Sequence, residues 1–241
     1  MMTFFDQFSD VLSVLSLRDD GPMNLTHASG QENRNRFFSS CHISPERVFS
    51  AGLVHGNSVS VVGESSPQNI DRMDALVTRL PEHYLSITVA DCYPVFFYAP
   101  SSRIVGIAHA GWRGVVSEVI LRTFDQMVAL GADVFDIHVA IGPGISQPNY
   151  IFEHKTCVVS FGRYCRDHYF VPVKDRPGYM YLNLQKIILD QCTEAGVSMD
   201  HVDGTLMCTF ADPDRFFSAR RDSEEETSDD RMIALIGLRK S

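Results

Sequence analysis

Three apolar segments follow one another closely in the middle of the chain, and they constrain its fold more than any other feature. They span residues 84–90, 95–99 and 104–108. The last two are separated by the sequence Pro-Ser-Ser-Arg, which is typical of a tight turn. We therefore predict an antiparallel hairpin. If it folds between Pro100 and Ser101, Cys92 and His109 lie directly opposite each other, with Cβ atoms about 5 Å apart on one face of the sheet.

The other periodic segments predict a mixed architecture. Alternating or continuous apolar runs predict strands at residues 47–54, 58–62, 74–78, 137–141, 202–210 and 232–238. Helical spacing predicts helices at residues 32–38, 116–130, 153–163 and 184–196, and a helical face also fits residues 1–20. Asn183 is the expected N-cap of the last helix. The order of these elements predicts an α+β (mixed α/β) fold, a single domain over residues 1–241 with mixed β-sheets flanked by helices.

Composition excludes several classes of function. The chain has 241 residues, 44% of them hydrophobic, and a net charge of −9 without a basic patch, which argues against nucleic acid as a ligand. No apolar run approaches the roughly 18 residues of a membrane span. Residues 1–20 lack the basic start of a secretory signal, and the six cysteines form no CxxC pair. We therefore expect reduced thiols and a cytoplasmic protein that binds neither nucleic acid nor membrane.

Two histidines and one cysteine suggest a metal site. His55, Cys92 and His109 each fall at a predicted junction of strand and turn, beside small residues. Catalytic zinc commonly takes three protein ligands from histidine, cysteine and carboxylate and keeps a fourth position open. We predict that these three residues bind a metal and are catalytic. The alternative is that each is a packed residue at a strand end.

The segment after His109 suggests an anion site. Gly111 and Gly114 frame Trp112 and Arg113 where a strand enters a helix. Backbone N–H groups at such a point favour an anion, and Arg113 could bind phosphate through two hydrogen bonds. The alternative is a turn in which Arg113 stacks on Trp112. For Asp91, the side chain either orients a ligand or bonds a backbone turn, and we favour the second role.

Several motifs together resemble those of the laccase-domain family, also known as multicopper polyphenol oxidases and as purine nucleoside phosphorylase-like proteins. The motifs occur in family order across nearly the whole chain. They are His55-Gly56, Asp74-Ala75-Leu76-Val77-Thr78, Ala90-Asp91-Cys92-Tyr93-Pro94, His109-Ala110-Gly111-Trp112-Arg113-Gly114, Ile141-Gly142-Pro143-Gly144-Ile145, Cys208-Thr209-Phe210 and Phe216-Phe217-Ser218-Ala219-Arg220-Arg221-Asp222, with Asn24-Leu25 near the start.

The resemblance implies a purine nucleoside enzyme with Zn²⁺ on His55, Cys92 and His109. The implied reactions are phosphorolysis of adenosine, inosine and S-methyl-5′-thioadenosine to the free base and (methylthio)ribose-1-phosphate, and deamination of adenosine to inosine. Its partners would be purine nucleosides and orthophosphate, and the protein a monomer or homodimer. The residues expected to bind substrate or phosphate are Arg113, Asn24, Arg220 and Arg221.

The chain also departs from the family pattern. The family often has glutamine where this chain has Leu53, Glu-Val where it has Ile151 and Phe152, and an aromatic residue where it has Ala219. These changes leave the metal ligands intact but put substrate preference in doubt. The acidic segment 223–230 is longer than usual, and we expect a solvated insertion there.

Three other functions remain open. A copper phenol oxidase is one, because the same ligands would bind Cu²⁺ more tightly than Zn²⁺; the nine histidines, however, include no His-x-His pair that would suit a multicopper cluster. A cysteine hydrolase acting on amide bonds, including those of cell-wall precursors, would use Cys92 as nucleophile and His109 as base. A zinc-stabilised binding module would need a fourth protein ligand, and the sequence offers three.

Overall fold

The structure is a computed structural model that describes residues 1–223 and 229–240. Its strands are β1 (Met2–Phe4), β2 (Val11–Leu15), β3 (Val48–Gly52), β4 (Val59–Val61), β5 (Asn69–Asp71), β6 (Ala75–Thr78), β7 (Tyr84–Val89), β8 (Tyr93–Ala99), β9 (Ile104–Ala110), β10 (His138–Ile141), β11 (Ile151–Glu153), β12 (Phe170–Pro172), β13 (Tyr179–Leu182), β14 (Val202–Gly204) and β15 (Met232–Leu238). Its α-helices are α1 (Gly30–Ser40), α2 (Trp112–Val116), α3 (Val119–Ala129), α4 (His154–Ser160) and α5 (Leu184–Ala195).

Two mixed six-stranded sheets form the centre of the fold. The first sheet has the order β1-β2-β15-β7-β3-β5, and the second has the order β14-β10-β8-β9-β6-β4. Within the first, β3 runs parallel to β7, and β15 runs antiparallel to both of its neighbours. Strands β11, β13 and β12 form a small third sheet. The expected α+β class, with mixed sheets flanked by helices, is confirmed.

The apolar strands of the second sheet are buried on both faces. Along β8, Phe96 and Tyr98 point into the layer between the two large sheets, whereas Val95 and Phe97 point to the opposite side, where α3 and α5 pack. Because successive side chains of a strand alternate between faces, an unbroken apolar run is what such a strand requires. The outer face of the first sheet packs on α1 through Phe37 and Phe38. The layers are therefore α1, the first sheet, the second sheet, and the helices α3 and α5.

The hairpin of β8 and β9 forms as predicted, but its predicted register was wrong. His109 pairs with Pro94 rather than with Cys92, and Ala99 pairs with Ile104. The turn occupies residues 100–103, closed by the N–H of Arg103 donating to the Pro100 carbonyl at 3.2 Å. The predicted pairing would have placed Ser102 and Arg103 in the strand, opposite Ala99 and Tyr98, whereas the structure leaves both residues in the turn.

Other local predictions met mixed outcomes. The N-terminal helix was wrong: β1 and β2 pair there as antiparallel strands at the edge of the first sheet. The helix predicted at residues 116–130 is divided at Glu118, whose φ of 69° interrupts the helix between α2 and α3. The strand predicted at residues 202–210 ends at Gly204. By contrast, α5 begins as expected, with the Asn183 side chain accepting the N–H of Lys186 at 3.0 Å.

Two further predictions concern membrane-spanning helices and the acidic segment at residues 223–230. In the described part of the chain, no helix is long and apolar enough to cross a membrane. Of the acidic segment at residues 223–230, residues 224–228 lie outside the described part; Asp229 is exposed, whereas Asp230 is buried.

Candidate metal centre

His55, Cys92 and His109 come together at one edge of the two large sheets. His55 lies in the turn after β3, Cys92 in the connection that leads from β7 in the first sheet to β8 in the second, and His109 near the end of β9. One ligand atom from each residue can be chosen so that all three lie within 4.8 Å of one another. The imidazole rings are nearly perpendicular, with centroids 4.8 Å apart.

Strand geometry explains this meeting. Because β3 and β7 run parallel, their C-terminal ends lie at the same end of the first sheet, and the turns that follow them emerge there. His109 has the same parity as Val105 and Ile107, which face the layer between the sheets, so its ring points towards those turns. The three predicted ligands are therefore neighbours, although Cys92 and His109 are not a directly opposed pair.

The backbone at the site depends on unusual conformations and on one glycine. His55 and Asp91 adopt left-handed backbone angles, with φ of 58° and 79°. A Cβ atom on Gly111 would lie 2.9 Å from the Cys92 Sγ, closer than real Cβ contacts, and 3.3 Å from the His55 Cδ2, which is tighter than most of them. The glycine of the motif is thus required for the close approach of two of the three donors.

Asp74 is a functional residue that the sequence reasoning did not single out. It is fully buried at the start of β6, and its carboxylate accepts backbone N–H groups of Val54, His55 and Gly56 at 3.3, 2.8 and 2.7 Å. The same carboxylate lies 3.1 Å from the Nδ1 of His109. Its place in the motif Asp74-Ala75-Leu76-Val77-Thr78, which resembles a family motif, was the signal that the sequence offered. With Nδ1 bonded to Asp74, His109 presents Nε2 to the other two donors.

The electrostatics favour a thiolate at Cys92. Burial alone would raise the pKa of the Cys92 thiol, but its interactions with His109 and His55 hold that pKa below its ordinary value. Burial likewise opposes the charged form of His109, yet the neighbouring Cys92 and Asp74 raise its pKa. The proton of the pair is therefore held by the imidazole, and the sulfur is in the form that attacks electrophiles and binds metals.

The donor set fits a transition metal. Two imidazoles and a thiolate suit zinc or copper, whereas magnesium and calcium prefer oxygen ligands. A buried carboxylate behind a histidine ligand is the usual second-layer support of such a site. Among the residues that the structure describes, this cluster supplies three donors, which leaves a coordination position for a water or substrate oxygen.

The three donors open into a cavity of about 400 Å³. Its other polar and aromatic lining includes Trp112, Arg113, Tyr150, Arg220 and Arg231. The guanidinium carbon of Arg113 lies 4.5 Å from the centre of the Trp112 ring, so the stacked arrangement is present while Arg113 still lines the cavity.

The four predicted substrate-binding residues separate into two groups. Arg113 and Arg220 line the cavity. Arg221 does not; its guanidinium donates to the carbonyls of Thr209, Phe210 and Phe216 and to the Asp222 carboxylate. Asn24 does not line the cavity either, and its amide donates to Thr26 Oγ1 at 2.8 Å. Arg231, which sequence reasoning missed, is the third arginine of the lining.

Asp91 bonds a backbone turn, as expected. Its side chain accepts the backbone N–H of Arg220 at 2.7 Å. The segment that precedes Cys92 is thereby joined to the loop that carries Arg220, one of the arginines that line the cavity.

Comparison of the whole chain with known families is decisive at this point. The family model described as multi-copper polyphenol oxidoreductase laccase matches residues 24–239. The chain belongs to this laccase family. Of the four residues that differ from the family pattern, Leu53 and Ala219 line the cavity, whereas Ile151 and Phe152 do not.

Relatives of this laccase-family chain carry a different functional name. The purine nucleoside phosphorylase of Deinococcus radiodurans is 35% identical over 211 residues, which cover 86% of this chain and 76% of that protein. The purine nucleoside phosphorylase YlmD of Geobacillus stearothermophilus is 30% identical over 223 residues, covering 86% and 78%.

Solved structures share the fold over nearly the whole chain. The crystal structure of YlmD from Geobacillus stearothermophilus aligns with a TM-score of 0.86 at 27% identity, covering 98% of this chain and 94% of that one. The hypothetical protein YfiH of Bacillus licheniformis aligns with a TM-score of 0.87 at 25% identity, covering 95% and 93%.

Proposed function

We propose that the protein is a zinc-dependent purine nucleoside phosphorylase that also deaminates adenosine. The observation that carries the proposal is that His55, Cys92 and His109 share one cavity with Arg113 and Arg220. A transition-metal donor set and the two predicted arginines thus line the same small space, together with Arg231. The names of the relatives support nucleoside phosphorolysis as the use of that space. Adenosine, inosine and S-methyl-5′-thioadenosine are the proposed nucleosides.

Phosphorolysis requires that orthophosphate be held beside the ribose. Arg113 and Arg220 are the proposed phosphate ligands, because a guanidinium can donate two parallel hydrogen bonds to one phosphate. In the reaction, a phosphate oxygen forms a bond to C1′ as the bond from C1′ to the purine nitrogen breaks. The purine leaves with the bonding electron pair and takes up a proton. The two arginines would fix the attacking oxygen against C1′ and offset the charge of the phosphate.

The purine would lie against the aromatic part of the wall. Trp112 and Tyr150 both line the cavity, and Trp112 is held by stacking on Phe161 at 5.2 Å. Burial raises the pKa of Tyr150 well above its ordinary value, so its hydroxyl keeps its proton and can donate to a ligand. A cavity of about 400 Å³ is within the usual range for a small-molecule site.

Deamination places a second demand on the same cavity. Water must add at C6 of adenine and ammonia must leave. Zinc, when held by His55, Cys92 and His109, supplies the Lewis-acid chemistry that activates water near neutral pH. The role of Asp74 is to keep His109 in the orientation and tautomer that present Nε2 to the cavity.

The decisive experiment uses purified protein of measured metal content. With inosine and orthophosphate, we expect hypoxanthine and ribose-1-phosphate in equal amounts and no release of base when phosphate is omitted. Adenosine should additionally give ammonia and inosine. Cys92→Ala is the matched control, because it removes one donor and leaves both arginines. Ribose-1-phosphate no higher than in that control would reject the phosphorylase assignment.

A cysteine hydrolase is the second candidate, and one arrangement favours it. Cys92, His109 and Asp74 stand in the order of nucleophile, base and orienting carboxylate. Alkylation separates the two functions. A catalytic thiolate should react quickly with iodoacetamide whether or not a chelator is present, whereas a zinc ligand should react only after the metal is removed.

The family name also raises phenol oxidation. In the described part of the chain the metal donors form one cluster of three residues, which suits a single ion rather than several coppers. We therefore attribute any phenol oxidation to copper bound in place of zinc at this cluster. Phenol oxidation by copper-free protein would contradict that view.

A further inference from the structure

Asp91 is a buried carboxylate whose partners are all found in the C-terminal third of the chain. It is 7% exposed and lies directly before Cys92. One of its oxygens, Oδ1, accepts the Thr209 hydroxyl at 2.7 Å. The other, Oδ2, accepts the Ser218 hydroxyl at 3.0 Å and the backbone N–H of Arg220 at 2.7 Å. The carboxylate thus ties the turn that carries Cys92 to the loop that carries Arg220.

Arg220 is held both at its backbone and at the guanidinium end of its side chain. At the backbone, its N–H donates to Asp91. At the far end, one guanidinium nitrogen donates to the Ile151 carbonyl at 3.2 Å, and the guanidinium carbon lies 5.3 Å from the centre of the Tyr150 ring. The side chain is exposed to the cavity between these two anchors. Its direction therefore depends on the position of its own backbone, which Asp91 sets.

The two buried aspartates of the site have separate contacts. Asp74 bonds the turn of His55 and the ring of His109, whereas Asp91 bonds the loop of Arg220. Cys92 follows Asp91 in sequence, yet the Asp91 carboxylate is fully engaged by Thr209, Ser218 and the Arg220 backbone. Loss of the Asp91 carboxylate should therefore act on Arg220, and loss of the Asp74 carboxylate on the metal donors.

We propose that Asp91 is a positioning residue that fixes Arg220 for binding an oxyanion, orthophosphate in the proposed reaction. It acts through the backbone N–H of Arg220 and does not itself contact the anion. The identity of the anion rests on the proposed function. Binding of an oxyanion by Arg220 can be measured without turnover, so the two ideas can fail separately.

The test is a calorimetric titration of the zinc-loaded full-length protein with inorganic phosphate. In Asp91→Ala, a displaced Arg220 should lose its hydrogen bond to the phosphate. Since a hydrogen bond to a charged group contributes roughly 1.5–3 kcal/mol, phosphate binding should weaken about 10- to 100-fold. Asp91→Asn keeps an acceptor for the Arg220 N–H and should restore most of the affinity. Zinc affinity, measured by chelator competition, should stay at the wild-type value in both variants.

A double-mutant cycle separates positioning from general damage. In the Arg220→Ala background, Asp91→Ala should cause no further loss of phosphate affinity, because the group that it positions is gone. In steady-state assays of inosine phosphorolysis, Asp91→Ala should raise the KM for phosphate and leave the KM for inosine unchanged. Asp91→Gly is the second variant if Asp91→Ala misfolds, since glycine adopts the φ of 79° without strain.

Three outcomes would overturn the proposal. These are unchanged phosphate affinity in folded Asp91→Ala or Asp91→Gly, additive losses in the double mutant, and a fall in zinc affinity that Asp91→Asn does not reverse. If wild-type protein binds phosphate through Arg220 but releases no base from any nucleoside, the phosphorylase assignment fails while the role of Asp91 stands.

Discussion

The Asp74 carboxylate and the His109 imidazole lie 3.1 Å apart, and the backbone N–H of His109 donates to the Asp74 carbonyl at 2.7 Å. The same carboxylate accepts the backbone N–H groups of the turn that carries His55. Burial would raise the pKa of Asp74, but these hydrogen bonds hold it below its ordinary value, so the carboxylate is ionised. A single side chain therefore sets the position of two of the three candidate metal donors, His55 and His109.

Replacing Asp74 should release the metal. In Asp74→Asn, the amide nitrogen cannot accept the N–H groups that now converge on both oxygens, and loss of such a supporting carboxylate lowers metal affinity about 10- to 100-fold. Competition with a chromogenic chelator measures the zinc dissociation constant. Asp125→Asn, on the exposed side of α3, is the matched control. Wild-type zinc affinity in folded Asp74→Asn would show that the carboxylate does not support the site.

Gly111 should tolerate no side chain. The added methyl group of Gly111→Ala would lie 2.9 Å from the Cys92 Sγ, so the thiolate or the strand end must move. We expect loss of bound zinc, measured by metal analysis, with a destabilisation of about 1–3 kcal/mol in chemical unfolding. Gly63→Ala is the control, because a Cβ there meets nothing within 4 Å. Full zinc content in Gly111→Ala would mean that the close contact can relax at little cost.

These relationships show where sequence reasoning succeeds and where it stops. The unbroken apolar runs of β8 and β9 and the turn residues between them predict the hairpin, because they are properties of neighbouring residues. The register could not be predicted, because the predicted and observed pairings differ by two residues and leave every side chain on the same face, so the apolar pattern fits both. The role of Asp74 was also out of reach, since it joins β6 in one sheet to the turn after β3 in the other.

Adjacent arginines illustrate the same limit within the site. Arg220 and Arg221 are equivalent candidates in the sequence, yet one lines the cavity and the other is committed to three backbone carbonyls. Which of two neighbours faces a cavity is decided by the path of the loop, and here that path depends on the distant Asp91. His55, Cys92 and His109 could be predicted as candidate metal ligands from their residue types and their positions at turns, and the structure brings them together.

Metal-free protein should carry an unusually reactive thiol at Cys92. Its pKa is lowered by His109 and His55 against the effect of burial, whereas burial raises the pKa of the partly exposed Cys41. As the pH rises, the Cys92 thiolate therefore forms first, and its alkylation should level off at a lower pH than that of Cys41. Iodoacetamide labelling of chelator-treated protein, followed residue by residue by mass spectrometry, gives both profiles.

The same profile offers an internal check on the cause. In His109→Gln the imidazolium is gone, so the Cys92 inflection should move to higher pH while that of Cys41 stays in place. Zinc should suppress labelling of Cys92 in the wild-type protein. Identical profiles for Cys92 in the wild type and in His109→Gln would remove His109 as the source of the shift.

The three arginines predicted from the sequence, Arg113, Arg220 and Arg221, should respond differently to replacement. Arg113→Ala and Arg220→Ala remove cavity groups whose side chains are exposed, so each should raise the KM for phosphate with little change in the free energy of unfolding. Arg221→Ala leaves the carbonyls of Thr209, Phe210 and Phe216 without the guanidinium that donates to them. It should therefore lower the free energy of unfolding by about 1–3 kcal/mol. Phosphate-dependence of turnover and urea unfolding, measured on all three variants, distinguish the two effects. A phosphate KM raised more in Arg221→Ala than in Arg220→Ala would exchange the roles assigned to the two residues.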